Sequence, residues 1–223
     1  KTYQFEKIII ERNILMEKEL ETARQMQQKL LPQTIPAIEG YRYSFTYIPM
    51  DKVGGDFYDF TTDGATIELF IADVSGHGLP GAFLSMITKM ALSSMPRRDS
   101  CGGVMKGLND ILCNATVGSN FVTACYCRLD TAANTMQYAN AGHFPPLIYR
   151  HSTGEFMELS VTGKLLGIFR GLQFQERSLS LMRGDRILMF TDGIIECIDK
   201  NDTPFGVEGL KEYTVKRSGL PPE

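Results

Sequence analysis

Three aspartates share one kind of position, within three residues of a glycine and at a point where the chain is expected to turn. Asp73 ends the apolar run of "ELFIADVSGHG". Asp56 follows the glycine pair of "VGGDFYDF", and Asp192 precedes Gly193 in "LMFTDGIIE". Glycine lets other backbone segments approach closely, so each aspartate would be presented at the end of a strand or in a tight turn.

A single aspartate of this kind is most often a helix cap or a turn former. Three in one domain indicate a shared role, because carboxylates gathered without basic partners repel each other. Mg²⁺ or Mn²⁺ would hold them together, since both ions prefer oxygen ligands. Two such ions about 3.5–4 Å apart can hold a hydroxide for attack on phosphorus. The pattern therefore predicts a divalent-cation site that could hydrolyse a phosphate ester.

Clustered strands and a few helices are expected to position these aspartates. Helices are predicted at about 79–94, 103–115 and 207–216, and Gly184-Asp185 is predicted to be a hairpin turn. The candidate strands are "RYSFTYIP", "ATIELFIADV", "FVTACYCRLD", "TMQYANA", "PPLIYR", "GEFMELS", "LQFQERSLSL" and "DRILMFTDG". Because most strands connect as hairpins and two helices are inserted together, the pattern predicts an α+β fold of antiparallel sheets with segregated helices.

Residues 5 to 31 contain no proline or glycine and are predicted to form one long helix. Residues spaced alternately four and three apart form a coiled-coil seam with two polar interruptions: Ile9, Asn13, Met16, Leu20, Ala23, Gln27 and Leu30. The seam favours a dimer, and the alternative is a helix packed on its own domain. Pro32 ends the helix. We therefore expect a linker or switch helix at 1–31, a linker at 32–40 and a catalytic domain at 41–223.

Composition excludes several classes of partner. The net charge of −3 and the pI of about 5.7 argue against nucleic acid and anionic membranes. No apolar run reaches the roughly 20 residues that span a bilayer, and no signal peptide is visible. Five cysteines without a CxxC pair are typical of a reducing, cytoplasmic compartment, with Cys125 and Cys127 as small buried residues. The first residue is not Met, so we expect a piece of a longer chain.

Six segments in order carry a family resemblance: "VGGDFYDF", "IADVSGHGLPGA", "FVTACYCRLD", "YANAGHFPPLIY", "LLGI" and "GDRILMFTDGIIECIDKNDTPFG". Together they resemble the PPM metal-dependent serine/threonine phosphatases, in their bacterial SpoIIE/RsbU-like branch. The resemblance runs from about residue 20 to 215. It implies an αββα sandwich of two antiparallel sheets flanked by helices, and two Mn²⁺ or Mg²⁺ ions in the complete domain.

The resemblance also implies roles for individual residues. Asp56 resembles the first metal-binding aspartate, and Asp73 resembles the one that bridges both ions. The backbone carbonyl of Val74 resembles a further ligand, and Asp192 resembles the aspartate that completes the shell of the other ion. These residues are the predicted catalytic and metal-binding set.

Other residues keep open roles. Asp59 is expected either to hold a water on the metal or to cap a turn. His77 is a candidate proton donor or a loop residue, and His143 is expected to be a structural hydrogen-bonding residue. No arginine before "GGD" matches the phosphate-binding arginine of eukaryotic members. The family's C-terminal Asp-Asp or Asp-Asn motif is absent, so the domain is expected to be truncated at its C-terminus.

The resulting hypothesis is a cytoplasmic phosphatase that removes phosphate from a phosphoserine or phosphothreonine. The resemblance suggests a STAS-type anti-sigma-factor antagonist as substrate and a sensor domain upstream of the helix. One alternative is a catalytically degenerate domain that only binds its partner and transmits a signal. A second is a metal-dependent nucleotide hydrolase, for which no base-binding pocket is identified.

The helical seam generates a test of self-association through residues 5–31. We expect the full chain to form a dimer and the chain without residues 1–31 to be a monomer, because Ile9, Met16 and Leu20 would pair between two helices. Light scattering on both proteins at high micromolar concentration measures this difference. Two monomers would reject the dimer.

Overall fold

The computed structural model describes residues 2–34, 36–49, 52–76, 78–95, 100–116, 118–160 and 163–222, with side chains from residue 5 onward. Its helices are α1 (Thr2–Leu30), α2 (Gly78–Ser94), α3 (Cys101–Ala115), α4 (Asp192–Ile195) and α5 (Gly206–Lys216). Its strands are β1 (Phe57–Asp63), β2 (Thr66–Val74), β3 (Val122–Asp130), β4 (Thr135–Ala141), β5 (Leu147–Arg150), β6 (Glu155–Glu158), β7 (Arg177–Ser180) and β8 (Arg186–Leu188).

The strands form two antiparallel sheets. Sheet A has the order β1-β2-β3-β4-β7, and sheet B has the order β6-β5-β8. The strands of sheet A alternate apolar residues between two buried faces, so each face must be covered by another layer. The long β2 and β3 pair along their full length, from Thr66 opposite Asp130 to Val74 opposite Val122.

Three apolar clusters hold four layers together. One face of sheet A packs against α2 and α3, with Phe70, Leu92 and Leu108 in that cluster. The other face packs against sheet B through a second cluster that contains Phe60 and Ile148. A third cluster joins the outer face of sheet B to α4 and α5. The layers are therefore helix, sheet, sheet, helix, and the predicted αββα arrangement is observed.

The helix boundaries follow from local chemistry. Pro80 lies in the first turn of α2, where its missing N–H leaves no hydrogen bond unmade. At the start of α3 the Ser100 hydroxyl accepts a hydrogen bond of 3.0 Å from the Gly103 N–H, as an N-cap does.

Helix α1 buries side chains against the domain through its last turns. Leu20, Ala23 and Leu30 are half-buried, and Gln27 is buried against α2. Ile9 and Met16 of the same seam are each 57% exposed. The C-terminal part of the seam thus contacts the chain's own domain, and the N-terminal part remains open for self-association.

Two sequence predictions about strands are wrong. Gly184-Asp185 does not turn a hairpin, because the preceding β7 pairs with β4 in sheet A and the following β8 pairs with β5 in sheet B. The turn instead carries the chain from one sheet to the other. Residues 41–49 alternate in burial as predicted but join no ladder, and their aromatic rings, such as Tyr43 and Phe45, pack on Phe60.

No helix within the described ranges combines the length and the apolar character needed to cross a membrane. All five cysteines are free thiols. Cys125 and Cys127 are fully buried on the inter-sheet face of β3, where their sulfur atoms lie 3.8 Å apart. They act there as the small buried residues that the sequence predicted.

Candidate metal centre

Asp56 and Asp73 lie side by side at one end of sheet A. Asp56 comes directly before β1, whose first residue Phe57 pairs with Ala72. Phe57 and Ala72 both belong to the helix-facing cluster, so the neighbouring Asp56 and Asp73 side chains point to the inter-sheet face. The strand register therefore holds the two carboxyl groups together where the two sheets meet.

The two carboxyl groups hydrogen-bond to each other, which requires that one of them keeps a proton. Burial raises the pKa of Asp73 to about 7, and the charge of Asp56, the bond to it and the charge of Asp192 add to the rise. Burial also raises the pKa of Asp56, although side-chain bonds from Thr191 and Asp73 oppose that rise. Burial and mutual repulsion thus raise the pKa of both carboxyl groups, and the rise is clearest for Asp73.

Asp192 approaches this pair from the other sheet. It begins α4, after the segment that follows β8, and Thr191 before it is among the groups that lower the pKa of Asp56. The Asp192 charge raises the pKa of both Asp56 and Asp73. Across the described part of the chain, however, no three His, Cys, Asp or Glu side chains come close enough to hold one ion. The structure therefore brings together a contacting pair with a third carboxylate nearby.

Glycines let the backbone close tightly around the predicted Val74 ligand. A Cβ atom on Gly55 would lie 2.8 Å from the Val74 carbonyl oxygen, and one on Gly81 would lie 2.7 Å from the Gly76 oxygen. Contacts this short are not tolerated, so both positions require glycine. The Val74 carbonyl is consequently held next to the turn that delivers Asp56.

The donor set fits a hard divalent cation. It combines carboxylate oxygens with a backbone carbonyl, which are the ligands that Mg²⁺ and Mn²⁺ prefer. No lysine or arginine is among the described groups that shift the pKa of Asp56 or Asp73. A cation in place of the shared proton would relieve the repulsion that now raises both pKa values.

Asp59 has a different role from either one that we expected. It lies inside β1 on the helix-facing side, 4% exposed, and forms an ion pair with Lys89 of α2. Its Oδ1 also accepts a hydrogen bond from the Phe60 N–H. This carboxylate joins sheet A to α2 instead of facing the inter-sheet acid pair or capping a turn.

His143 is buried and makes the hydrogen bonds expected of a structural residue, with Thr123 and with the Phe190 carbonyl. Burial lowers the pKa of His143 to about 4, which leaves its ring neutral at pH 7. His77 lies outside the described residues.

Several contacts of the site were not predicted from the sequence. The Gln27 side chain donates to the Gly54 carbonyl (2.6 Å) and accepts from the Gly54 N–H (3.1 Å), so α1 holds the glycine turn before Asp56. Burial raises the pKa of Tyr47 to about 12, and the Asp56 charge adds to the rise. The signal for Gln27 was present, because it interrupts an otherwise apolar seam. Thr191 and Tyr47 carried no comparable pattern.

Comparison with known proteins gives consistent relatives. The sequence model described as Stage II sporulation protein E (SpoIIE) matches residues 63–223, a range that includes Asp73 and Asp192. Phosphoserine phosphatase RsbU of Bacillus subtilis (strain 168) is 32% identical over 184 residues, which are 82% of this chain and 55% of RsbU. Phosphoserine phosphatase RsbP of the same organism is 31% identical over 189 residues, covering 80% of this chain and 45% of RsbP. This chain spans about half the length of these two relatives.

Among solved structures, the SiaA-PP2C domain of Pseudomonas aeruginosa superposes with a TM-score of 0.80. The match covers 94% of this chain and 85% of that chain. At 19% identity it establishes the fold alone. The αββα sandwich predicted from the sequence is thereby confirmed.

The shared proton generates a prediction for stability without metal. Folded Asp73 keeps its proton up to about pH 7, whereas the unfolded chain loses it near the ordinary value of 3.8. The folded state therefore binds more protons in this window, and its stability falls as pH rises. With a chelator present, we expect a Tm lower by several degrees at about pH 8 than at about pH 5. Thermal denaturation followed by circular dichroism measures it.

Asp73→Asn is the matched control, because an amide can donate to Asp56 at every pH. This variant should lose most of the pH dependence and should exceed the wild type in Tm at the higher pH. A wild-type profile in the variant would contradict the assignment of the proton to Asp73.

The close contact at Gly55 generates a second prediction. Gly55→Ala should destabilise the protein by about 1–3 kcal/mol, because the new methyl group would overlap the Val74 carbonyl. Gly219→Ala is the control, since a Cβ there meets no atom within 4 Å. Urea denaturation of both variants compares them, and equal stabilities would show that the Val74 backbone yields easily.

Proposed function

The chain belongs to the SpoIIE family, and on this premise we propose that it is a metal-dependent protein phosphatase acting on phosphoserine or phosphothreonine. Membership rests on the family match over residues 63–223. The observation that carries the proposal is the Asp56–Asp73 carboxyl pair, with the Asp192 carboxylate close enough to raise the pKa of both. Two relatives are named phosphoserine phosphatases, which supports the same reaction class for this chain.

We propose that Asp56, Asp73, the Val74 carbonyl and Asp192 hold two Mn²⁺ or Mg²⁺ ions. When bound, such ions would supply the charge that lowers the pKa of an attacking water and neutralises a phosphoryl group. Asp73 would have to give up the proton that it shares with Asp56, so binding should release a proton below about pH 7. Thr191, next to Asp192, would favour the ionised form of Asp56 that an ion requires, since it lowers the pKa of Asp56.

The proposed substrate is a phosphorylated regulatory protein, with a STAS-type anti-sigma-factor antagonist as the candidate. The sequence motifs that resemble the RsbU-like branch support this choice. A protein substrate also agrees with the site's place at the end of the sandwich, where Asp56 and Asp73 are half-buried. The proposed location is the cytoplasm, in keeping with five free thiols.

We further propose that α1 links an upstream sensor domain to the phosphatase domain, and that its exposed N-terminal part pairs with a second copy. Its last turns already contact the glycine turn before Asp56 through Gln27. Gln27 also donates to the Ser85 hydroxyl of α2 at 2.9 Å. A movement of α1 would thus reach the acid pair through a single turn of backbone.

A degenerate signalling domain remains the second candidate, and one observation favours it. Asp192 raises the pKa of the acid pair, but the described residues contain no group of three ligands close enough for one ion. A domain that had lost catalysis could keep the fold and the surface that binds its partner without bringing three ligands close enough for one ion. Phosphate release that depends on Mn²⁺ separates the two candidates.

The proposed chemistry predicts the outcome of Asp73→Asn. The substitution removes a charge that the ions require and keeps the shape of the side chain, so activity should fall by several orders of magnitude with little loss of fold. The assay is phosphate release from a phosphoserine peptide and from p-nitrophenyl phosphate at millimolar Mn²⁺. Asp63→Asn, an exposed carboxylate at the far end of β1, is the matched control and should keep wild-type activity.

Activity in Asp73→Asn equal to the control would reject the two-ion site. A wild-type chain that hydrolyses neither compound at any Mn²⁺ concentration would instead favour the degenerate domain.

A further inference from the structure

A partly buried polar chain connects the two sheets behind the acid pair. Thr123 of β3 lies directly opposite Asp73 of β2 in the antiparallel ladder, so both side chains point to the inter-sheet face. The Thr123 hydroxyl lies 3.0 Å from Nδ1 of His143 and 3.3 Å from the Asp73 carbonyl oxygen. His143 follows β4 and is 2% exposed. Sheet A therefore places a threonine and a histidine immediately beside the proposed bridging aspartate.

The other ring nitrogen of His143 reaches the segment from sheet B. Nε2 lies 3.1 Å from the carbonyl oxygen of Phe190, two residues before Asp192. A carbonyl only accepts hydrogen bonds, so Nε2 must carry the hydrogen and Nδ1 of the neutral ring accepts the single hydroxyl hydrogen of Thr123. The Thr123 hydroxyl then has no hydrogen for the Asp73 backbone carbonyl, so Thr123 is tied to Asp73 by their pairing in the ladder. The ring thus uses both nitrogens in opposite roles, one toward each sheet.

The backbone of His143 is also held in place. The Asn140 side chain accepts from the His143 N–H at 2.8 Å and donates to the His143 carbonyl at 3.1 Å. Both residues are buried, and the His143 ring contacts Phe144 edge-on. A ring fixed by its own backbone, by Thr123 and by Phe190 has little freedom to turn or to reach a substrate.

We propose that His143 is a positioning residue that sets the separation between the Asp73 and Asp192 carboxylates. It fixes Thr123, and with it the Asp73 end of sheet A, at a defined distance from the Phe190 carbonyl that leads to Asp192. This proposal rests on the metal site proposed above. It assigns His143 no part in proton transfer, because both ring nitrogens are occupied inside the protein. Residues that orient metal ligands in this way commonly change metal affinity about 10- to 100-fold when altered.

The test measures Mn²⁺ affinity by calorimetry on the full 223-residue chain and on three variants. Thr123→Val removes the hydroxyl that binds Nδ1 and keeps the side chain's shape. His143→Gln keeps a donor for the Phe190 carbonyl and loses the acceptor for Thr123. Thr88→Val is the control, because Thr88 is also a threonine that packs inside the domain, more deeply buried than Thr123, and its hydroxyl bonds within α2, to the Leu84 carbonyl.

We expect Thr123→Val and His143→Gln each to bind Mn²⁺ about 10-fold or more weakly than the wild type. Thr88→Val should bind within about twofold of it. Tm values with a chelator present should fall by similar amounts in Thr123→Val and Thr88→Val, so that lost stability alone does not explain weaker binding. Saturating Mn²⁺ should recover most of the kcat for p-nitrophenyl phosphate in the two altered variants, with KM unchanged.

Wild-type Mn²⁺ affinity in both Thr123→Val and His143→Gln would overturn the positioning role while leaving the proposed phosphatase function intact. Equal weakening in all three variants would also overturn it, since any buried hydroxyl would then have the same effect. If the wild type itself binds no Mn²⁺, the proposed metal site fails first, and the positioning role fails with it.

Discussion

Repulsion between two carboxyl groups held in contact is the constraint on which this site depends. Because their carboxyl groups are in contact, Asp56 and Asp73 cannot both be ionised unless a positive charge lies between them. The protein nevertheless holds them together, through the pairing of β1 with β2 and through a glycine turn that fits against the Val74 carbonyl. The free energy of that arrangement is supplied by folding, so a cation would find ligands already gathered.

The same constraint explains why two sheets are needed. One end of sheet A provides the acid pair, and the residues next to the pair belong to the β1–β2 ladder. Thr191 and Asp192 therefore come from the segment after β8, on the opposite sheet. The apolar cluster between the sheets, which includes Phe60 and Ile148, holds the two sheets in place relative to each other. The packing of the core between the sheets therefore also determines the geometry of the site.

Features of the fold that depend on residues close together in the sequence could be predicted from it. Helices α2 and α5 begin within one residue of the predicted positions, because apolar spacing marks them directly. The ends of β2 and the placement of Asp73 followed from an apolar run closed by a turn. The four-layer αββα stacking was predicted from the family motifs and their order. A periodic pattern within one segment does not show which sheet another segment joins.

The predictions that failed concern residues whose structure depends on contacts with distant parts of the chain. The turn at Gly184-Asp185 has the composition of a hairpin, and only the pairing of its two strands with different partners shows otherwise. Asp59 resembles Asp56 in sequence, but strand alternation places it on the opposite face, against Lys89. Gln27 could be recognised as an anomaly in an apolar seam, whereas its partner at Gly54 is known only from the folded chain.

The ion pair between Asp59 and Lys89 has a consequence for the history of this sequence. Both side chains are largely buried, at 5% and 16% exposure, and removing one partner alone would leave a charge stranded between sheet A and α2. Such an intermediate costs about 3–5 kcal/mol, a large part of the stability of a typical domain. Substitutions at the two positions should therefore be inherited together across descendants, with an apolar pair replacing both charges or neither. Strand β1, which begins directly after Asp56 and contains Asp59, would then accumulate substitutions slowly.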